Sequence, residues 1–177
     1  ASEKNLDLAV ATFERLRAIH SSARFILVGD GPMRENLERR HPDYIFCGTQ
    51  RDEALARHYA SADLFLFPSR SDTFGNVVTE AMARGLGVVA FDDAAAYEHI
   101  HSGVNGLKAP LSDDAGFIRA ALRLADQPSL LHRVRVRARQ DALSLDWGTL
   151  AEAFEQHMMT MTTEGQAHVP NQSVPGI

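Results

Sequence analysis

The segment from Pro68 to Met82 holds the residues best suited to chemistry, because a polar loop follows an apolar run, passes Gly75 and enters a helix. Gly75 permits close backbone approach, and the helix N-terminus beyond it offers unpaired N–H groups and a positive dipole end, which suit phosphate. Asp72 in the loop and Glu80 in the first turns of the helix flank this point. A carboxylate only accepts hydrogen bonds and so matches the paired donors of a sugar's vicinal hydroxyls. The pattern favours a site for phosphate and diols.

The same spacing is equally compatible with a purely structural role for this segment. Asp72 or Thr73 could cap the helix, and Glu80 would then face solvent. The eight histidines are scattered and none belongs to a metal-ligand spacing. The loop Gly29-Asp30-Gly31-Pro32 lacks the three-glycine pattern of dinucleotide-binding turns, which disfavours a nicotinamide or flavin site.

Composition bounds the class of protein. The chain has 177 residues, of which 45% are hydrophobic and 23% charged, so it can bury the core of a folded domain. Its 18 basic and 23 acidic residues give a net charge of −5, which offers no reason to expect nucleic acid as a partner. Cys47 is the only cysteine, which excludes a disulfide framework. No apolar run is long enough to span a membrane and no signal peptide is evident, so a cytoplasmic location is expected.

Apolar runs and helical stripes alternate along the chain and predict the elements that position these residues. Short runs that are apolar on both faces are typical of parallel strands covered by helices. Such runs occupy 25–28, 44–47, 64–67 and 88–91, with a short edge strand at Leu107. The predicted helices lie at about 6–16, 32–40, 52–59, 75–84, 94–101, 113–126, 128–142 and 147–161, with Asp52 as an N-cap and Gly85 as a C′ residue.

This alternation predicts an α/β fold, a Rossmann-like doubly wound parallel sheet flanked by helices. Residues 1–161 are expected to form the domain and the polar residues 162–177 a disordered tail. Ligands of such sheets bind at the carboxyl ends of the strands, which is where the loops 29–32 and 68–76 fall. The chain begins at Ala1 without Met and soon enters a helix, which favours a segment of a longer protein.

Asp72-x7-Glu80, followed by Ala81-Met82-Ala83-Arg84-Gly85, resembles the Glu-x7-Glu motif of the family 4 retaining glycosyltransferases. These enzymes have the GT-B fold, in which two Rossmann-like domains face each other across a cleft. The similarity extends in order over roughly residues 2–155. It includes Glu3-Lys4-Asn5-Leu6, Val28-Gly29-Asp30-Gly31-Pro32, Ala62-Asp63-Leu64-Phe65-Leu66-Phe67-Pro68-Ser69, Glu98-His99-Ile100 and Gly103-Val104-Asn105-Gly106-Leu107.

The resemblance implies a role for each matched residue. Lys4 would donate to the diphosphate of a nucleotide sugar, Asp72 would contact the hydroxyls of the transferred sugar, and Glu80 would bind the ribose diol. These three are the catalytic candidates. The implied donor-binding positions are Gly29, Gln50 beside the nucleobase, Phe74, Gly75, Asn76 and Val77.

Three departures from the family pattern bear on that assignment. Asp72 stands where the family has Glu, so its reach is one methylene shorter. Gly87 stands where the family often has Pro, which indicates a local loop change. The family's first strand, an Arg that precedes Lys4 and shares the diphosphate, and the N-terminal acceptor-binding domain are expected to lie outside this chain.

The resulting functional prediction is the donor-binding, C-terminal domain of a retaining glycosyltransferase. The whole protein would transfer a hexose from GDP-mannose or a UDP-sugar to a lipid-linked or saccharide acceptor, with no tightly bound cofactor and no metal. The chain alone would bind donor weakly and catalyse little or nothing. A non-catalytic nucleotide-diphosphate-binding or regulatory module and a sugar-nucleotide epimerase of the same fold are the alternatives. The arginines at 133, 135, 137 and 139 fit a salt-bridged helix face, or else peripheral contact with an anionic inner-membrane surface.

Overall fold

The computed structural model describes residues 4–70 and 76–145, with Asn76 described by its backbone only. Helices and strands alternate through most of this range. The helices are α1 (Leu6–Ile19), α2 (Arg34–Arg40), α3 (Asp52–Ala60), α4 (Asn76–Ala83), α5 (Ala94–His99), α6 (Asp114–Asp126) and α7 (Pro128–Leu143). The strands are β1 (Ile26–Val28), β2 (Ile45–Gly48), β3 (Leu64–Phe67), β4 (Gly87–Phe91) and β5 (Leu107–Ala109).

All strand pairs are parallel, as the alternation of strands and helices predicts. They form two sheets, one of β1 and β2 and one in the order β3-β4-β5. Leu64 pairs with Gly87 and Phe67 with Ala90, so β3 and β4 are in register over the full length of β3. The predicted α/β, Rossmann-like class is therefore confirmed, and β5 lies at a sheet edge as expected.

The strand β4 lies at the centre of the core because it is covered on both faces. All five of its residues are buried. Val89 and Phe91 pack into a cluster with α1, α6 and α7, while Val88 and Ala90 pack into a second cluster with α4, α5 and α7. Alternate residues of a strand point to opposite faces, which is why a continuous apolar run suits this position.

The end of α4 is held by its own backbone and by α7. Gly85 has φ of +74°, and the N–H groups of Gly85 and Leu86 bond back to Met82 and Ala81, which is the Schellman pattern of a helix C-terminus. Arg135 donates to the carbonyl of Gly85 over 2.7 Å. The predicted C′ role of Gly85 is confirmed.

The structure differs from the sequence prediction at the start of α3. The helix predicted at 52–59 is present, but its N-cap is Arg51. Asp52 is the first residue of the helix and has φ of +49°. The capping role predicted for Asp52 is therefore wrong. The helix predicted at 147–161 and the tail 162–177 lie outside the described residues. Within the described ranges, no helix is both long enough and apolar enough to cross a membrane.

The run of arginines on α7 forms a network with neighbouring elements. Arg135 also pairs with Asp63 over 2.7 Å, Arg137 pairs with Asp141 over 2.6 Å, and Arg139 donates to the carbonyl of Ala83 over 3.0 Å. These contacts favour the salt-bridged helix face over a free basic patch, since two of the arginines bind carbonyls at the end of α4.

Candidate functional site

A cavity of about 430 Å³ opens at the carboxyl ends of β1 and β3. Its rim is formed by Lys4, by the loop 29–32 after β1, and by Pro68 after β3. Its floor is apolar, with Leu27 and Phe67 among the lining residues. The structure thus brings Lys4 and Gly29, two of the predicted site residues, to the place where parallel sheets bind their ligands.

Lys4 lies just before α1 with an exposed side chain. Its ammonium is 5.8 Å from the centroid of the Phe67 ring, a cation–π contact that ties it to the end of β3. Among the residues described, no carboxylate pairs with this ammonium. Lys4 thus places a positive charge, which attracts anions, at the rim of the cavity.

The loop after β1 is held open by its backbone. Gly29 has φ of +129°, a conformation that favours glycine, and its N–H donates to the carbonyl of Gly48 over 2.8 Å. The carboxylate of Asp30 accepts from the N–H of Gly31 over 2.9 Å. A ligand approaching this loop meets an exposed backbone, since a Cβ built on Gly29 or Gly31 would contact nothing within 4 Å.

Arg34 also lines this cavity and was not identified from the sequence. Its guanidinium lies 2.8 Å from Glu38 and 3.5 Å from Asp30. The hydrogen bond to Glu38 is the main cause that raises the pKa of Arg34 above its usual value. Arg34 begins the helix that follows the Gly-Asp-Gly-Pro loop, and this position in the sequence could have identified it as a residue of the cavity.

Glu80 lies one turn into α4, and its exposed carboxylate contacts α3. The hydroxyl of Tyr59 donates to Oε2 of Glu80 over 3.5 Å. Burial raises the pKa of Tyr59 to about 12, with the negative charge of Glu80 as the next cause, so this hydroxyl stays protonated as a donor. Tyr59 packs edge-on against Phe65 at 5.8 Å, which anchors it on β3. The sequence analysis did not identify this contact.

The first residues of the loop between β3 and α4 are held in place by burial and by an ion pair. Pro68 and Ser69 are buried, and the guanidinium of Arg70 binds both carboxylate oxygens of Asp114, at 2.8 and 3.0 Å. Because one guanidinium nitrogen of Arg70 donates to both oxygens, Arg70 anchors the loop to α6. The predicted site residues Asp72, Phe74 and Gly75 lie outside the described residues.

The remaining predicted positions fall on neighbouring elements. Gln50 follows β2, and its side-chain amide donates to the carbonyl of Cys47 over 2.6 Å. Asn76 is the first residue of α4, and the half-buried Val77 is the second. Over residues 4–70 and 76–145 there is no group of three His, Cys, Asp or Glu side chains that could hold a metal ion.

Comparisons with known proteins agree with this geometry. The family model described as "Glycosyl transferases group 1" matches residues 1–127. A GDP-mannose-dependent alpha-mannosyltransferase of Corynebacterium glutamicum is 31% identical over 157 residues, which is 89% of this chain and 37% of that protein. The chain spans well under half the length of such curated relatives.

Solved structures share the fold. The pneumococcal O-GlcNAc transferase GtfA, in complex with UDP and GlcNAc, matches 96% of this chain and 34% of its own, with a TM-score of 0.73 and 23% identity. The C-terminal domain of the glycosyl transferase group 1 protein LpcC from Francisella tularensis matches 81% of this chain and 80% of its own, with a TM-score of 0.72 and 17% identity. Identities at this level show the fold alone.

Proposed function

Because the chain belongs to the group 1 glycosyl transferases, we propose that it forms the donor-binding domain of a retaining enzyme that takes a hexose from a nucleoside diphosphate sugar. The observation that carries the proposal is the cavity at the carboxyl ends of β1 and β3, where Lys4 and the open backbone of Gly29 share one rim. An ammonium that pairs with no carboxylate among the described residues, beside a glycine loop with open space around it, suits a diphosphate.

Each proposed role follows from charge and position. Lys4 stabilises the negative charge that develops on the leaving diphosphate, which is effective when the group is positioned in advance. The first N–H groups of α4, which have no partner within the helix, are directed to the same phosphates. Glu80 accepts two hydrogen bonds from the ribose diol. The hydroxyl of Tyr59 donates to Oε2 of Glu80 and so orients this carboxylate. Asp72 is proposed to contact the transferred sugar. The acceptor receives this sugar on the same face from which the diphosphate departs, so the anomeric configuration is retained.

GDP-mannose is the donor that we propose first. The mannosyltransferase of Corynebacterium glutamicum, which is named as GDP-mannose-dependent, supports this choice, while the UDP in the GtfA complex makes UDP-hexoses the second choice. We further propose a lipid-linked or saccharide acceptor held by a second, N-terminal domain of the whole protein, and a cytoplasmic location.

Calorimetric titration of the 177-residue chain tests donor binding directly. GDP-mannose, UDP-glucose and UDP-GlcNAc are compared on the native chain, on Glu80→Gln and on Lys4→Met. Each substitution removes hydrogen bonds to a charged group, worth about 1.5–3 kcal/mol, so affinity should fall roughly 10- to 100-fold. Glu98→Gln is the matched control, because Glu98 is an exposed glutamate on α5 that should leave affinity unchanged.

The outcomes separate the possible functions. Absence of binding to any nucleotide sugar would refute the donor site, and equal affinity of Glu80→Gln and the native chain would refute the ribose role. In the whole protein, transfer of the hexose with retained anomeric configuration supports the transferase. Tight binding of the nucleoside diphosphate without transfer would instead indicate a regulatory module, and inversion at a sugar carbon of the donor would indicate an epimerase.

A further inference from the structure

Lys4 and Arg34 are the two basic residues that line the cavity of the candidate site. The ammonium of Lys4 faces the ring of Phe67 at the end of β3. Arg34 instead begins α2, directly after the loop that follows β1. Its guanidinium lies against the end of β2, because a Cβ built on Gly48 would be 3.0 Å from Nη1 of Arg34. The two cations therefore lie at the carboxyl ends of different strands.

Two carboxylates hold the guanidinium of Arg34 in place. Its Nε donates to Oε1 of Glu38 over 2.8 Å, and its Nη1 lies 3.5 Å from Oδ2 of Asp30. Neither contact involves Nη2, which carries two of the five N–H donors of a guanidinium. The side chain is 31% exposed. A planar guanidinium that is held in this way presents donors of fixed direction to a ligand in the cavity.

The charges around Arg34 favour a neutral ligand group over a further anion. Asp30 and Glu38 carry two negative charges against the single positive charge of the guanidinium. A phosphate would therefore be attracted less strongly to Arg34 than to Lys4, whose ammonium faces an aromatic ring. A carbonyl oxygen or a ring nitrogen accepts hydrogen bonds without carrying a net charge. Groups of this kind match the donors of Arg34.

The order of the parts in a nucleotide directs its base towards Arg34. The proposed contacts of the diphosphate are Lys4, which lies at the end of β3, and the start of α4, which follows β3. Glu80, the proposed ribose contact, bonds to Tyr59 and so lies on the side of α4 that faces α3, the helix that follows β2. The ribose joins the diphosphate to the base. A base that continues in this direction from β3 reaches the carboxyl end of β2, where the guanidinium of Arg34 lies.

Guanine is the base whose acceptors match this guanidinium. Its O6 and N7 are neighbouring acceptors on one edge, and they suit two N–H groups of an arginine side chain. Adenine has an amino donor in the place of O6. Uracil has a C–H group beside its O4 carbonyl, in the place of a ring nitrogen. The same pair of N–H groups therefore meets two acceptors on guanine but one on adenine or uracil.

We propose that Arg34 recognises the base of the donor nucleotide by donating to O6 and N7 of guanine, which makes the site selective for GDP-sugars over UDP-sugars and ADP-sugars. This inference rests on the proposed donor-binding function and adds a specificity-determining residue to it. Asp30 and Glu38 are positioning residues, because they hold the guanidinium in the orientation that the base requires. Arg34 acts on the binding of the nucleotide, whereas Lys4 acts on the charge of the leaving diphosphate.

Calorimetric titration of the 177-residue chain with GDP, UDP and 7-deaza-GDP tests this assignment. The deaza compound has a C–H group in the place of N7, so it lacks one acceptor while its ribose and diphosphate are unchanged. Arg34→Met retains an unbranched apolar side chain and removes every donor. Arg40→Met is the matched control, because Arg40 is an exposed arginine of the same helix and its replacement removes the same charge.

The native chain should bind GDP about 5- to 150-fold more tightly than UDP, and more tightly than 7-deaza-GDP. Arg34→Met should bind GDP and 7-deaza-GDP equally, because the N7 acceptor then has no donor. Its affinity for UDP should equal that of the native chain, which would show that the variant is folded and retains the ribose and phosphate contacts. Arg40→Met should keep the native order of affinities.

The contrary outcomes separate this assignment from the proposed function. A native chain that binds GDP no more tightly than UDP, or an Arg34→Met variant that still prefers GDP to 7-deaza-GDP, would overturn the role of Arg34 and leave the donor site standing. An equal loss of GDP and UDP affinity in Arg34→Met would overturn it too, because Arg34 would then contact the phosphates. Failure of the native chain to bind any nucleoside diphosphate would count against the proposed function itself, and the role of Arg34 would be lost with it.

Discussion

Replacement of Asn105 by Ala should strongly destabilise the domain. The side chain is 1% exposed and lies in the turn before β5. Its Oδ1 accepts from the N–H of His101 over 2.7 Å, and its Nδ2 donates to the carbonyl of His99 over 3.0 Å and to Asp141 over 2.8 Å. The residue therefore joins the end of α5 to α7 through three hydrogen bonds.

The magnitude follows from those three bonds. Two are between neutral groups, at about 0.5–1.5 kcal/mol each, and the bond to the Asp141 carboxylate contributes about 1.5–3 kcal/mol. We expect Asn105→Ala to lower the free energy of unfolding by about 2.5–6 kcal/mol, or Tm by roughly 5–24 °C for a domain of this size. Asn105→Asp should cost more, because an oxygen would replace Nδ2 against the carbonyl of His99 and the Asp141 carboxylate.

Urea unfolding followed by circular dichroism measures this difference, with an unchanged m-value as the check that only stability has changed. Asn36→Ala is the matched control, because Asn36 is exposed on α2 and alanine is the better helix former. It should leave stability within about 0.5 kcal/mol. A loss below about 1 kcal/mol for Asn105→Ala would refute the reasoning from the buried network.

Three further results are expected. Tyr59→Phe should weaken nucleotide-sugar binding about two- to tenfold by calorimetry, because it removes the donor that holds Glu80. The hydrogen bond from Tyr44 lowers the pKa of Glu14 below its usual 4.5. Glu14 therefore stabilises the fold above that pH, and this stabilisation is lost as the pH falls through the folded-state pKa. The free energies of unfolding of Glu14→Gln and the native chain, measured in urea, should accordingly converge at low pH. Gly85→Ala should cost about 1–2 kcal/mol in the same assay, because its φ of +74° is unfavourable for a residue with a Cβ.

Each of these has a control and a contrary outcome. Tyr97→Phe removes an exposed hydroxyl and should leave binding unchanged, so an equal loss in both variants contradicts a specific role for Tyr59. A stability difference at Glu14 that is constant with pH would contradict the linkage argument. Gly31→Ala is the control for Gly85→Ala, since Gly31 has open space and no positive φ; similar losses would show that backbone conformation is not the cause.

Strand positions were predictable because each apolar run is bounded by residues that end a strand. The prediction for β3 matches its bounds, with Pro68 after it, and β4 begins one residue earlier than predicted. Gly85 was predictable as well, because a helix end that needs a left-handed residue favours glycine. These are local effects, which the sequence pattern reports directly.

Features that depend on distant contacts were not predictable. The preference of Asp for N-caps identified the helix at Asp52 but assigned the cap one residue too late, because the path of the chain after β2 decides which residue enters the helix. The hydrogen bond between Tyr59 and Glu80 joins residues 21 apart, and Arg135 binds a carbonyl 50 residues away. No local periodicity encodes such pairs. In the same way, apolar runs predict strands but do not predict which edges pair.

The candidate site takes its residues from both sheets. The Gly29 loop extends from the sheet of β1 and β2, whereas Glu80 lies on α4, which packs against β4 of the other sheet. A nucleotide that contacts both therefore depends on the separation of the two sheets. Because misplacement of binding groups by about 1 Å can cost two orders of magnitude in catalysis, a change in that separation would weaken the phosphate and ribose contacts together.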